Sequence, residues 1–437
     1  MFKTLKNAWR QPELKNKLLF TLLIIILYRL GSAIPVPFFD ASAAANQAEL
    51  FQGNILEFLS ILSGGALAQG TLLALGVSPY ITSSIVIQLL TVAIPKLGEK
   101  AKQGEEGKKF INMLTRIVTI VLAIITAIGY AFLLANNNLL LVKPTFFQYV
   151  VIVSCYCAGA AIVMWLAEKI NESGLGNGIS IILFANIIAS MPQQAMQLWQ
   201  TVFTVTGFDW VGLIIAIAFI LGIVGLLLLI VWMSDAERRI PIQYAKRVVG
   251  RKMYGGQNTN LPIKVNMAGV MPIIFANSIV AVPATISEMF MQGKTNWFTT
   301  FVDKWFNYNT VPYLIVFFVL LIAFAYFYVA ISFDPVEVGN NIKNNGGAIL
   351  GIRPGKPTVD FIRKILGRIT LVGALLVAVI ACVPMIANII LYACEVNTIS
   401  AMAFGGSSMM IVVGVAIETM RDLEAQLSLR NYKGFLD

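Results

Sequence analysis

The chain of 437 residues contains no histidine, and only 12% of its residues are charged. Histidine is the commonest general base near neutral pH and a frequent metal ligand, so its absence argues against most acid–base catalysis. Cysteine is also scarce, with only Cys155, Cys157, Cys382 and Cys394. Cys155 and Cys157 are two residues apart in an apolar run and point to opposite sides of a helix. We therefore expect no disulfide framework, no metal site, no cofactor and no enzymatic activity.

Charged residues are also missing from the middle of the long apolar segments. Arg29, Arg116, Glu288, Arg368 and Glu418 all lie near the ends of such segments. Ion-coupled transporters generally place paired ionisable residues at mid-membrane, so no proton relay or substrate carboxylate site is visible. The sequence has no G-x-x-x-x-G-K-[ST] loop and hence no nucleotide-driven engine of that type. What remains is a conduit or a scaffold operated by a soluble partner, with a solute transporter as the alternative.

Apolar residues, in contrast, make up 58% of the chain. A soluble chain of this composition would have too little polar surface. In a bilayer, each apolar run of about 20 residues forms a helix that satisfies its own backbone hydrogen bonds. We therefore predict an all-α polytopic membrane protein. Its ten predicted spans are 18–35, 74–95, 113–134, 147–168, 178–198, 211–233, 267–290, 312–333, 368–391 and 401–420.

The distribution of basic residues predicts the orientation of these spans. With ten spans, all but four of the 32 lysines and arginines fall on one side of the membrane. The exceptions are Arg29, Lys143, Lys294 and Lys304. Because cytoplasmic loops carry the excess of Lys and Arg in membrane proteins, we predict that both termini are cytoplasmic. Residues 421–437 then form a cytoplasmic tail.

Three polar segments stand out between and before the spans. Residues 1–17 carry basic side chains, with Phe2, Leu5 and Trp9 near one helical face. This predicts either an amphipathic helix on the inner membrane surface or a disordered basic tail. Segments 234–266 and 334–368 are basic and rich in Gly, Asn and Pro. Loops of this length between packed helices usually bind a partner, and a solvated connection is the alternative.

One apolar segment, 53–70, is too short to span a membrane. Its apolar residues predict two or three helical turns, which Gly64 and Gly65 would end. These residues are Ile55, Leu56, Phe58, Leu59, Ile61 and Leu62. An apolar half-helix on the outer side must be buried in protein or re-enter the membrane. It is therefore either ordinary packing or a stopper in a cavity.

Five stretches of the sequence resemble the SecY family, the central subunit of the protein-conducting channel. Gly76–Ile85, continuing to Leu90, is similar to the family signature in the second span. The other four are similar to the end of the first span, the start of the seventh span, the tip of the last large cytoplasmic loop and the tenth span. In that order they are Arg29–Pro37, Lys264–Pro272, Gly351–Gly355 and Gly405–Ile411. The likeness covers essentially the whole chain, and its form is bacterial.

The resemblance implies ten transmembrane helices in two inverted-repeat halves, 18–205 and 206–420, around a central hourglass pore. The family's pore constriction is a ring of aliphatic side chains from the second, fifth, seventh and tenth spans. By motif, these positions are Ile81, Ile85, Leu183, Ile187, Ile274 and Ile411. From the residues alone, core packing is the alternative for each of them. The half-helix at about 55–67 matches the family's plug, which would fill the outer funnel at rest.

The resemblance further implies a lateral gate between spans 2–3 and 7–8 that releases apolar segments into membrane lipid. Gln88 and Asn277 lie on its second and seventh spans. Pro272, Asn277 and Pro283 interrupt the seventh span, which suits either a helix that shifts or a static kink.

On the cytoplasmic loops, the resemblance implies a docking surface for the SecA motor ATPase or the ribosome. The expected residues are Arg353, Arg238, Arg239, Lys246, Arg247, Arg251 and Lys252, for which simple topology bias is the alternative. The expected companions are SecE and SecG, and the expected substrates are signal peptides and unfolded polypeptides. The implied function is translocation of secretory chains across the bacterial cytoplasmic membrane and insertion of membrane proteins into it.

Overall fold

A computed structural model describes residues 2–40, 42–43, 55–101, 103–141, 145–204, 207–208, 210–244, 247–249, 252–254, 258–291, 296–307, 310–393 and 406–433. The helices up to residue 202 are α1 (Phe2–Arg10), α2 (Pro12–Gly31), α3 (Ile55–Leu62), α4 (Ser78–Ala93), α5 (Pro95–Ala101), α6 (Glu105–Asn136), α7 (Phe146–Ser173) and α8 (Gly178–Val202). The later helices are α9 (Trp210–Asp235), α10 (Met271–Phe290), α11 (Trp297–Trp305), α12 (Val311–Ser332), α13 (Pro335–Asn344), α14 (Lys356–Ala393) and α15 (Gly406–Lys433).

The strands are short and lie between helices. β1 (Phe203–Thr204) and β2 (Gly207–Phe208) form an antiparallel pair between α8 and α9. Between α9 and α10 lie β3 (Glu237–Tyr244), β4 (Arg247–Val249), β5 (Lys252–Tyr254) and β6 (Asn258–Lys264), and β7 (Gly347–Ile349) follows α13. Most of the described chain is therefore helical, as the apolar runs predict.

Each of the ten predicted spans overlaps a helix, in the order α2, α4, α6, α7, α8, α9, α10, α12, α14 and α15. Within the described residues, five helices are long and apolar enough to cross a bilayer, or six if α4 and α5, bent by 109°, form one span. In α8 and α9, the described apolar parts, Gly178–Pro192 and Ile220–Asp235, are shorter than a full span. The all-α polytopic class is confirmed, and the order of the helices is consistent with ten spans.

Large apolar side chains remain exposed along these helices. Val311, Ile315 and Val319 of α12 are each more than half exposed, and so are Leu228 and Trp232 of α9. Soluble proteins rarely leave apolar patches of this extent open to water. The bundle therefore presents a lipid-facing surface, as a multi-pass membrane protein must.

The first 17 residues contain a short amphipathic helix, α1, but it does not extend over the whole predicted segment. The helix α1 ends at Arg10, and Gln11 is extended, with φ −92° and ψ 117°. Pro12 then begins α2, because proline suits the first turn of a helix and disfavours the helical conformation in the residue before it. The inner face of α1 packs on protein, since Ala8 shares a buried cluster with Leu14, Leu175 and Leu423. Thr4 also donates a hydrogen bond to Glu424 of α15.

The two long basic segments are folded into one small β-containing unit, which the sequence analysis did not predict. β3 pairs antiparallel with β6 in its own hairpin and with β7 from the second segment, so that the strand order is β6-β3-β7. Ile240, Ile242, Ile263, Ile349 and Ile362 are buried together between this sheet and the start of α14. Because β3 alternates buried and exposed residues, one of its faces covers this core while the other faces out. We call residues 237–264 and 335–362 the platform.

The largest hydrophobic cluster joins the early and late parts of the chain. It contains buried residues of α2, α4, α7, α8, α9, α10, α12, α14 and α15, together with Ile61 of α3. The predicted breaks in the seventh span do not divide α10, which is assigned as one helix from Met271 to Phe290. Pro272 sits in its first turn, where no backbone hydrogen bond is lost, and Pro283 lies inside it.

Candidate functional site

The six aliphatic residues predicted for the pore ring are all buried in the same hydrophobic cluster. They come from α4, α8, α10 and α15, and all belong to the largest hydrophobic cluster: Ile81, Ile85, Leu183, Ile187, Ile274 and Ile411. None is more than 4% exposed. Ile81 and Ile85 are one turn apart on α4, and Leu183 and Ile187 are one turn apart on α8, so each pair shares a helix face. Four helices thus contribute buried aliphatic side chains to one cluster, and we call these six residues the waist.

A cavity of about 200 Å³ lies next to the waist. Its wall includes four waist residues, Ile81, Leu183, Ile274 and Ile411, and two residues of α3, Leu59 and Leu62. The rest of its wall comes largely from α4, α6 and α10. Residues of the half-helix and of the waist therefore line the same cavity, which the sequence alone did not establish.

The polar side chains of the cavity wall are mostly turned back onto their own helices. The hydroxyl groups of Thr82, Thr126, Ser278 and Thr285 each donate to the carbonyl oxygen four residues earlier, at 2.7 to 3.0 Å. A hydroxyl satisfied in this way offers little to water or to a passing solute. The wall therefore behaves as a more apolar surface than its residue types indicate.

Of the two residues predicted for the lateral gate, Asn277 lines the cavity and Gln88 is not among the described residues that line it. Asn277 is buried on α10 and lines the cavity, and its Nδ2 has no hydrogen-bond partner among the described residues. Gln88 lies on α4, where its Nε2 donates to Ser84 Oγ at 3.4 Å, and it is not among the described residues that line the cavity. On the same helix, Ser83 Oγ is 2.5 Å from Thr119 Oγ1 of α6, so a buried hydrogen bond joins α4 to α6.

The apolar half-helix forms as predicted and ends where glycine permits. The helix α3 runs from Ile55 to Leu62, and Gly64 and Gly65 follow with φ of 68° and 86°. Residues with side chains rarely adopt such angles, so glycine here stops the helix. Leu56 and Ile61 are buried. The side chains of Ile55 and Phe58, also predicted for the plug, lie outside the described part of the structure.

The carboxyl end of α3 is tied to α2 and α8 by hydrogen bonds. Asn186 Nδ2 donates to Leu62 O at 2.7 Å and to the hydroxyl of Tyr28 at 2.9 Å. Arg29 donates to Gly64 O at 3.4 Å and to Ala185 O at 2.8 Å. These donors satisfy carbonyl groups that a helix end leaves free. We call Tyr28, Arg29 and Asn186 the plug tie.

Sequence reasoning did not assign the plug tie. Arg29 was noted only as a charge near the end of a span, and Asn186 was not singled out. The available signal was a lone asparagine inside an apolar run, since polar residues in spanning helices usually bond across to another segment. Its partner is 124 residues away in the sequence, and nothing local identifies it.

We expect Asn186→Leu to loosen the carboxyl end of α3. Leucine has a similar size but leaves Leu62 O and the Tyr28 hydroxyl without this donor, which costs about 1–3 kcal/mol. Amide hydrogen exchange in residues 59–67 should then accelerate by about tenfold or more, because 1.4 kcal/mol corresponds to that factor. Ser180→Ala is the matched control, since Ser180 is buried on the same helix and its Oγ has no partner among the described residues. Equal exchange in both variants would show that the tie does not restrain α3.

Arg353 occupies the exposed tip of the platform. Gly351 and Gly355 on either side have φ of 79° and 106°, which gives the turn its shape. Buried Thr358 donates its hydroxyl to Arg353 O at 2.9 Å, and Thr358 N donates to Gly355 O at 3.0 Å. The backbone of the tip is thus held while the side chain projects. Within the described part of the chain, the Arg353 guanidinium makes no ion pair.

The other basic residues expected on the docking surface are only partly described. Arg238 and Arg239 are exposed on β3, and Arg239 is paired with Glu237 at 2.6 Å. Arg247 and Lys252 lie on the paired strands β4 and β5, with side chains outside the described part. Lys246 and Arg251 lie wholly outside it. Of the three described arginines expected on the docking surface, Arg239 has an internal partner, and Arg238 and Arg353 are exposed.

Charged side chains join the ends of α9 and α15 next to the platform. Arg421 of α15 donates to Asp235 Oδ1 at 2.9 Å and to Ser234 O at 2.8 Å. Lys264, opposite Glu237 in the hairpin, lies beside this pair. Burial lowers the pKa of Lys264, and the nearby Arg421 guanidinium lowers it further. Lys264 of the platform thus lies next to the ion pair that joins the ends of these two long helices.

The aliphatic waist, the half-helix that lines the adjoining cavity and the basic platform at one end of a multi-pass bundle together define a class of protein, a membrane channel. A family model described as SecY matches residues 71–420. The protein translocase subunit SecY of Streptomyces coelicolor is 40% identical over 447 residues, which covers 100% of both chains. That of Mycobacterium bovis is 40% identical over 456 residues, again covering 100% of both.

Solved structures share the fold. One, described as the structure of a protein conducting channel, is 19% identical, with a TM-score of 0.63 over 94% of this chain and 92% of the other. Another, Sec61 in a canine ribosome–channel complex, is 17% identical, with a TM-score of 0.59 over the same shares. The yeast Ssh1 complex bound to a ribosome has a TM-score of 0.58 and 15% identity, over 92% of this chain and 88% of the other.

The chain belongs to the SecY family. It is a protein-conducting channel of the membrane, as its resemblance to the family implied. The solute-transporter alternative finds no support in these matches. By family the protein is a channel.

Proposed function

We propose that this channel moves unfolded secretory polypeptides across the bacterial cytoplasmic membrane through a ring made of Ile81, Ile85, Leu183, Ile187, Ile274 and Ile411. The observation that carries the proposal is that these six side chains, from four helices, are buried in one cluster and that four of them line one cavity. A narrow aliphatic collar holds water poorly and so excludes ions by dewetting. Because it offers no directed hydrogen bond, it yields to any peptide sequence.

In this proposal α3 is the plug, and residues 18–205 and 206–420 are the two halves that clasp the pore. Leu59 and Leu62 share the cavity with four ring residues, which supports a stopper over ordinary packing. The plug tie holds α3 at rest, and an entering chain displaces it. The displaced helix loses a few hydrogen bonds, so its release is reversible.

The lateral gate opens beside the same cavity. Asn277 on α10 and Gln88 on α4 belong to its two sides, and an apolar segment leaves between them into lipid. The exposed apolar edge of α10, at Val282, Ile286 and Phe290, continues the cavity wall toward the lipid-facing surface. An apolar passenger therefore finds a continuous apolar route from the waist to the bilayer.

The platform docks the partner that drives translocation. Arg353 at its tip, together with Arg238, presents positive charge without internal carboxylate partners among the described residues. Such a surface suits acidic protein patches on SecA or the phosphates of ribosomal RNA. We propose that Lys246, Arg247, Arg251 and Lys252, on the same segment of the chain, also contribute to docking. Both termini are cytoplasmic on this view, and SecE and SecG complete the complex.

The experiment that tests the ring is crosslinking of a stalled passenger. A photoreactive amino acid is placed at each of the six ring positions in turn, and a secretory precursor with a folded carboxyl-terminal domain is arrested in the channel. We expect crosslinks from all six positions, because a chain in the waist must touch every side of it. Ile380 is the control position, since it is buried in the same cluster on α14 but lies outside the ring. A precursor that crosslinks to Ile380 and to none of the six would contradict the proposed path.

A further inference from the structure

The short helix α11 carries three distinct faces. One is buried, with Val302 at 3% exposed and Thr299 at 7%. A second is polar and exposed, with Thr300, Asp303 and Lys304. The third is aromatic. Since residues four apart in a helix lie on the same side, Trp297, Phe301 and Trp305 form this third face, and they fall between the other two around the axis.

The aromatic face is exposed and ordered. Trp297 is 82% exposed, Phe301 42% and Trp305 40%. The rings stack in sequence, with centroids of Trp297 and Phe301 5.9 Å apart and those of Phe301 and Trp305 6.4 Å apart. Three large rings in one open stripe are costly in water, since each has a large apolar area to bury. We therefore expect another apolar surface to cover these three rings.

The helix α11 cannot rotate to bury these rings, because another of its faces is already packed on protein. Val302 packs in a cluster with Ala281 and Ala284 of α10, and Leu62 of α3 and Phe306 pack against the same cluster. A capping arrangement fixes the start of α11, where Asn296 N donates to Thr299 Oγ1 at 2.8 Å. With its inner face occupied and its first turn capped, α11 holds the aromatic stripe outward.

The position of α11 identifies the partner. It connects α10 to α12, so it lies at the membrane boundary where both spans end. The exposed apolar side chains Phe290, at the end of α10, and Val311, at the start of α12, continue the lipid-facing surface to the same level. Tryptophan is enriched at this level, because its ring is apolar and its N–H is polar. A helix with one face on protein, one on water and one of aromatic rings suits the headgroup region of a bilayer.

We propose that the face formed by Trp297, Phe301 and Trp305 docks into the headgroup–acyl boundary of the bilayer, so that α11 is an interfacial lipid anchor. The Lys304 ammonium, on the adjacent polar face, is placed to reach lipid phosphate from the water side. The anchor fixes the level at which the outer ends of α10 and α12 sit.

The test uses depth-sensitive fluorescence in the full chain, purified with its companion subunits. The four native cysteines are replaced by alanine. Single cysteines are then introduced as Phe301→Cys or Trp297→Cys on the aromatic face and Asp303→Cys on the polar face, and each is labelled with an environment-sensitive dye. The complex is reconstituted in phosphatidylcholine vesicles, in which part of the lipid carries bromine on the acyl chain near the headgroup. Bromolipid quenches dyes in the lipid, and iodide quenches dyes in water.

We expect the dyes at 301 and 297 to lose most of their emission in bromolipid and little with iodide, and the dye at 303 to show the reverse. Two results would overturn the proposal. Iodide quenching of all three positions alike would show that the stripe faces water. Shielding of 301 and 297 from both quenchers would show that a second copy of the chain or another protein covers the stripe. Two independent aromatic positions keep the test decisive if one variant does not fold.

Discussion

The Arg353→Glu variant is expected to lose SecA-driven export of secretory precursors while the chain still inserts into the membrane at its normal level. The reason is local. Arg353 lies at an exposed tip whose backbone is held by Thr358 and flanked by two glycines in left-handed conformations, so the substitution changes charge without disturbing the fold. It replaces a positive charge with a negative one at the point that would meet an acidic partner, and like charges brought together at an interface cost several kcal/mol. Export is measured as protease-protected precursor in vesicles supplied with SecA and ATP.

Arg363→Glu is the matched control for this variant. Arg363 is an exposed arginine near the start of α14, 64% exposed in its side chain and 4.0 Å from Asp360. It carries the same charge but lies one or more turns away from the tip. If both variants lose export to the same degree, the effect reflects total charge and not the tip. Normal export by Arg353→Glu would remove Arg353 from the docking surface.

The Ile411→Asn variant is expected to leak ions through the resting complex. Ile411 is 1% exposed, is one of the six waist residues and lines the cavity that α3 also lines. An asparagine there lets water hydrate the waist, and an unpaired buried amide costs about 1–3 kcal/mol in the closed state. A loss of about 2 kcal/mol raises the population of the open state by about thirtyfold. Conductance of the purified complex in planar bilayers, without passenger or motor, measures this.

Ile417→Asn separates a wetted waist from general damage to α15. Ile417 is buried on the same helix but is not part of the largest hydrophobic cluster. A polar substitution there destabilises the helix packing by a similar amount without reaching the waist. We expect that variant to remain as tight as the unmodified complex. An unchanged seal in Ile411→Asn, or an equal leak in Ile417→Asn, would remove Ile411 from the ring.

The transmembrane plan of this protein was predictable from its residues because bilayer physics acts locally. An apolar run must be a helix, since no other arrangement satisfies its backbone hydrogen bonds in lipid, and each of the ten predicted runs overlaps a helix. The end of α3 was equally local, because Gly64 and Gly65 adopt angles that other residues avoid. Likewise the side chain of Asn177, just before α8, accepts a hydrogen bond from Ile179 N as a helix cap does.

The platform was not predictable in the same way. In the sequence its segments look like two long loops, because Gly, Asn and Pro interrupt any clear strand period. Pairing of β3 with β7 joins Ile242 to Ile349 across a separation of more than a hundred residues. Such a pairing depends on where the intervening spans return the chain to the same end of the bundle. The break between α1 and α2, in contrast, is local, because Pro12 disfavours the helical conformation in Gln11.

The residues of this chain thus set which segments enter the bilayer, which end of each carries charge and where the half-helix stops, since each of these follows from short-range hydrophobicity, charge and backbone geometry. They also marked the six ring positions, but only through motif resemblance, because a buried isoleucine in the waist looks like any other in the sequence. Folding alone buried those six side chains in one cluster and brought four of them, with Leu59 and Leu62 of α3, around one cavity. It also placed Arg29 and Asn186 on the carbonyl groups of the half-helix and turned the aromatic face of α11 outward. These are contacts between residues far apart in the chain, and they exist only once packed helices determine which surfaces meet.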